Sequence, residues 1–154
     1  MSLLDKIKKA QAQPRLEYDL SDLKNGTYDG KLISIKQDTL ADYEVYKFDY
    51  EVVHGEEHYR FEDVMFVNSD VDKLESQVMF RVVPFYEAGI VKDAAIEKAM
   101  SNLPGFFNYI VEKAKGIPVK VRLKHTTYNG KERDDIVLQS VKVPKQAESD
   151  DAPF

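Results

Sequence analysis

Apolar and polar residues alternate with a period of two over residues 27–67, lose that period over residues 69–116, and regain it over residues 117–143. A period of two puts successive side chains on opposite faces of a strand, whereas residues three and four apart share a helix face. Residues 27–36 therefore read as a strand, with Gly30 as a bulge or sharp bend. A polar loop over 37–42 separates it from a stronger strand over 43–53, in which Tyr46, Phe48, Tyr50 and Val52 share a core face and Tyr43, Val45, Lys47 and Asp49 share the other. His54-Gly55-Glu56-Glu57 makes a hairpin turn into a third strand over 58–67. Ser69, followed by Asp72, reads as the cap of a helix reaching about Pro84, and a second short helix spans 94–100. Phe106, Phe107, Ile110, Val111 and Ala114 have helical spacing between Pro104-Gly105 and Gly116, so a third helix is expected there. Two strands follow, over 117–127 and 132–143, joined at Tyr128-Asn129-Gly130.

Three strands, a helical insertion and two strands give a mainly β fold. Helices between the third and fourth of five strands match the order of the OB-fold, a partly open five-stranded barrel that binds oligonucleotides or oligosaccharides through its strand 2–3 face and its 1–2 and 4–5 loops. The expected organisation is an N-terminal arm over 1–26, an OB-like domain over 27–144 and an acidic disordered tail over 145–154. Leu3-Leu4-Asp5-Lys6-Ile7-Lys8-Lys9-Ala10 has the pattern of a short amphipathic helix. Residues 1–14 are expected to be mobile or to lie over a partner subunit, which leaves a homodimer open.

Composition adds exclusions. The 154 residues contain no cysteine, so disulfides, zinc-thiolate sites, iron–sulfur clusters and cysteine nucleophiles are absent. No apolar run approaches the roughly 18 residues of a membrane span, and no signal-peptide hydrophobic region opens the chain. A cytoplasmic protein is expected.

A net charge of -5 argues against a nucleic-acid partner until it is divided along the chain. Residues 145–154 hold Lys145 against Glu148, Asp150 and Asp151. Between Lys113 and Arg133 the cations Lys113, Lys115, Lys120, Arg122, Lys124, Lys131 and Arg133 face only Glu132. In Val119-Lys120-Val121-Arg122-Leu123-Lys124 the cations alternate with apolar residues, which spaces them about 6.6–6.8 Å apart on one strand face. That spacing suits the phosphates of an extended single strand; a solvated outer face is the plainer reading. Tyr128, Lys131 and Arg133 continue the surface at the turn, and Tyr43, Lys47, Tyr59, Arg60 and Phe61 are candidates for stacking and phosphate contact on the second and third strands. Asp38 and Asp42 make the 1–2 loop a poor phosphate contact.

Catalytic chemistry finds little support. His54 and His58 flank a hairpin, where an i, i+4 pair does not converge on a metal, and His125 stands alone. Glu62-Asp63 and Asp134-Asp135 are strand neighbours and point to opposite faces. No nucleophile elbow, phosphate-cradling glycine loop or zinc-protease helix motif is present. The expectation is a non-enzyme without metal or cofactor.

The strand order, the cationic strand at 119–124 and the closing Asp150-Asp151-Ala152-Pro153-Phe154 resemble single-stranded DNA-binding proteins of bacteria and, more closely, of bacteriophages. Their hallmark is an acidic tail ending in Asp-Asp-x-Pro-Phe or a near variant. The resemblance implies sequence-independent coating of single-stranded DNA and recruitment of replication, recombination and repair proteins. It also implies that Phe154 enters an apolar pocket of the partner, beside Pro153, while Asp150 and Asp151 meet a basic rim. For a phage-encoded chain the compartment is the cytoplasm of the bacterial host. Two other readings remain: a phage protein-interaction module of OB-like fold without intrinsic DNA binding, and a barrel that binds a small molecule or oligosaccharide.

Overall fold

A computed structural model of the chain describes residues 2–5, 7 and 16–144. Its strands are β1 (Leu16–Glu17), β2 (Gly26–Leu40), β3 (Tyr43–His54), β4 (Glu57–Phe66), β5 (Val119–Tyr128) and β6 (Lys131–Val141). Between β4 and β5 lie α1 (Val71–Glu87), α2 (Asp93–Lys98), a 3-10 turn (Ala99–Ser101) and α3 (Leu103–Ala114). The sheet order is β1-β4-β3-β2-β5-β6, and every pairing is antiparallel except the short β1 on β4.

The long β2 is the centre of the sheet. Residues 26–30 pair with β5 and residues 30–40 pair with β3, so Gly30 is bonded to both neighbours, opposite Val119 and Val52. A Cβ on Gly30 would stand 2.6 Å from the Glu51 carbonyl oxygen, and this close approach is why the position has no side chain. The expected bulge is not at Gly30: the register shifts between Leu32 and Ser34.

Three further expectations are revised. Residues 37–40 continue β2, because Ala41 and Asp42, with φ of 49° and 68°, make the whole reversal to β3. Asp70, not Ser69, caps α1, its Oδ1 accepting from the Asp72 and Lys73 amides at 3.0 and 3.4 Å. The helix also runs three residues past Pro84. An interior proline costs about 3 kcal/mol, and burial of Phe85 and Val82 on either side of it offsets that.

One core joins the sheet to the helices: Phe48, Tyr50, Phe61 and Met65 meet Val82, Phe85, Phe106, Phe107 and Ile110. Phe107 packs edge-on to Tyr46 and Phe48 at 4.8 and 5.2 Å between ring centroids. Arg81 of α1 forms a two-pronged ion pair with Asp63 of β4 at 2.9 and 3.0 Å, and also donates to Gln77. These contacts fix the helices to one face of the sheet.

The result is a five-strand antiparallel sheet with helices, not closed into a barrel. β4 and β6 come within 8 Å between Cα atoms, yet no ladder joins them among the described residues. The β4 edge is instead paired with β1 at His58 and Tyr59. Among the described residues, no helix is long and apolar enough to cross a membrane.

Candidate nucleic-acid interface

β5 alternates as its sequence requires. Val119, Val121 and Leu123 are buried at 2%, 0% and 0% exposure, while Lys120, Arg122 and Lys124 are exposed. Both edges of β5 are paired, so these cations project between two strands.

Those neighbours carry acids. Lys120 Nζ lies 2.9 Å from Asp29 Oδ1 of β2, and Lys124 stands opposite Asp135 of β6. Two of the cations of residues 113–133 thus stand beside carboxylates of neighbouring strands, Asp29 and Asp135. Arg122 differs: its cross-strand partners are Thr27 and Val137, so no acid faces it in either ladder. Arg122, Lys124 and Lys131 make no ion pair among the described residues.

The same face continues into the hairpin. Asn129 and Gly130, with φ of 51° and 76°, form the two-residue turn expected there. Tyr128 is 64% exposed, and the Arg133 guanidinium lies 6.0 Å from its ring centroid. Arg122, Lys124, Tyr128, Lys131 and Arg133 therefore share one side of the β5–β6 ribbon, interrupted by Asp135.

On β3 and β4 the candidates divide. Tyr59 and Phe61 are corrected: at 7% and 0% exposure they belong to the core and offer no ring face to a ligand. Arg60, between them, points the other way and is tied to Asp49 and to the Tyr18 hydroxyl, with the Tyr18 ring 5.3 Å away. Asp49 is itself only 2% exposed, and Val45 0%, so the outer face of β3 is less solvated than its alternation implies. Asp49 Oδ1 and Arg60 Nε are buried and have no hydrogen-bond partner among the described residues. Lys47 is paired with Asp38 at 3.0 Å. The Thr39 amide and then Lys47 hold the Asp38 carboxyl below its ordinary range. Tyr43 is 65% exposed and packs edge-on against Phe66 of β4 at 6.1 Å.

Phe66 is one aromatic that sequence reading missed. Strand parity carried the signal: once Tyr59 and Phe61 face the core, Phe66 must face outward with Arg60. Tyr18, 66% exposed over Arg60, was hidden because nothing in the arm marked it as packing against a strand.

The histidines stay apart. His54 packs edge-on to Tyr28, His58 meets Glu51, and His125 bridges Asp134 and the Leu23 carbonyl. No cluster of three or more metal-ligating side chains occurs among the described residues. The proposed partner-binding residues Asp150, Asp151, Pro153 and Phe154 lie outside the described residues, as do most of residues 1–14. No known family model matches the chain. No curated protein matches it either.

Proposed function

We propose that this chain is a sequence-independent single-stranded DNA-binding protein of OB-like fold. In this reading it recruits replication and recombination proteins through Asp150-Asp151-Ala152-Pro153-Phe154. The observation that carries the reading is the exposed row on β5 and its hairpin, where Arg122 and Lys124 lead to the Tyr128–Arg133 stack and Lys131. Cations for the phosphates beside an exposed ring for a base are what sequence-tolerant single-strand binding needs. Support for the OB-like fold comes from strand pairing: a β2-β3-β4 meander, a β5–β6 hairpin, and a β2 that pairs both sets through its two halves.

Arg122 is the strongest phosphate contact, because no carboxylate competes across either ladder. The Tyr43–Phe66 pair forms a second stacking surface on β3 and β4. Asp29 and Asp135, beside Lys120 and Lys124, favour the second reading, an interaction module whose cationic strand is a solvated face.

Titration of labelled oligo-dT at several salt concentrations separates the two. Binding should weaken steeply with salt, with a log–log slope of about -0.7 per phosphate contacted. The Arg122→Ala/Lys124→Ala double variant should bind more weakly and lose about 1.4 from that slope if each cation meets one phosphate. Absence of binding at low salt would overturn the DNA reading and leave the interaction module.

A further inference from the structure

We propose that the helical layer carries a docking groove for the basic N-terminal segment of a second copy of this chain. A groove of about 560 Å³ lies between α1 and α2 with its 3-10 turn. Its walls include Met79, Val83, Ile96 and Met100, which are 60%, 37%, 40% and 36% exposed. An open apolar channel of this kind marks an interaction surface on a folded domain. Its rim is acidic. Glu75, Asp93 and Glu97 border it, and of these Asp93 already accepts from the Tyr86 hydroxyl at 2.7 Å. The groove therefore takes an apolar ridge flanked by cations.

The first residues of the chain have that chemistry. Leu3, Leu4 and Ile7 are 73%, 59% and 47% exposed, and residues 3–5 and 7 are helical. At these spacings the three side chains lie along one helix face, and Lys6, Lys8 and Lys9 flank them in sequence. Laying such a ridge into an acidic-rimmed groove is helix-in-groove recognition. The acidic run Glu148-Ser149-Asp150-Asp151 has the wrong sign for this rim. In the single chain both the ridge and the groove face solvent, and reciprocal exchange between two copies covers both at once with two-fold symmetry. The groove is on the helical side of the sheet and the β5 cations are on the other, so the dimer is independent of the DNA-binding reading.

Light scattering of the full chain over a concentration series tests this. The expected mass is twice 17.7 kDa. Two charge-reversed variants, Glu75→Lys/Glu97→Lys and Lys6→Glu/Lys8→Glu/Lys9→Glu, should each be monomeric, because groove and segment then carry like charges. Mixing them should restore a dimer, since each groove then meets a segment of opposite charge. Glu75 and Glu97 are exposed, and unchanged thermal melting of the two variants checks that both are folded. A wild-type chain that stays monomeric, as it would if the segment seated in its own groove, overturns the proposal. So does a dimer that survives both variants, or a mixture that remains monomeric.

Discussion

Gly30 and His125 show how single positions hold this sheet together. Gly30 is bonded on both sides and has the Glu51 carbonyl 2.6 Å from where a Cβ would stand. Gly30→Ala must push β3 away from β2, at a cost of about 1–3 kcal/mol, and a lower urea midpoint with unchanged slope is the expected result. His125 has Nδ1 2.7 Å from Asp134 Oδ1 and Nε2 2.6 Å from the Leu23 carbonyl oxygen. Only the imidazolium donates to both acceptors. The Leu23 carbonyl first, and Asp134 second, therefore raise its pKa above the ordinary 6.5. Because the folded pKa is the higher one, the extra stability is complete below the unfolded value and is lost as pH rises through the folded value. The stability difference between wild type and His125→Ala should shrink as pH rises above about 6.5, measured by urea unfolding across a pH series.

At the scale of elements, a buried ion pair ties α1 to β4 beside the core contacts of Val78, Val82 and Phe85. Arg81 and Asp63 have side chains only 9% and 12% exposed, and the guanidinium also lies 5.9 Å from the Phe48 ring centroid. Arg81→Ala leaves the carboxylate buried without its cation, which costs about 3–5 kcal/mol. The double variant Arg81→Met/Asp63→Leu should recover most of that loss, since an apolar pair of similar size removes the unpaired charge. Equal destabilisation of single and double variants in denaturant unfolding would mean that packing, not charge, sets the cost. The same ion pair explains how α1 continues through Pro84: the helix is already anchored to β4 one turn earlier and to the core by Phe85.

For the whole molecule, the division of labour between sheet and tail is the central expectation. Carboxylates tethered to the domain compete with phosphate at high effective concentration. Deleting residues 145–154 should leave oligo-dT affinity unchanged or raise it, while pulldown of replication proteins from host extract is lost. Loss of DNA binding on deletion would show that the tail is part of the DNA site.

Much of this arrangement was legible in the residues. Alternation located β3 to β6 near their observed bounds, though it ended β2 at 36 and did not reveal β1; helical spacing located α3, and Asn129-Gly130 marked its hairpin, because each depends on neighbours in the chain. The alternation of β5 likewise separated its outward cations from its buried valines and leucine. Sequence did not reveal that Asp29 and Asp135 would stand beside those cations, since cross-strand neighbours come from distant segments. Nor did it separate Tyr59 and Phe61, which fill the core, from Phe66, which faces out: aromatic type is the same, and only the parity set by packing against Phe48 and the helices distinguishes them. The sequence by itself determined the order of elements and which face of each is apolar, because backbone periodicity and side-chain chemistry are local. Tertiary structure alone decided which charges meet across strands, how β2 divides its pairing at Gly30, and that the sheet stays open beside β1. Those outcomes depend on long-range register and on competition for strand edges.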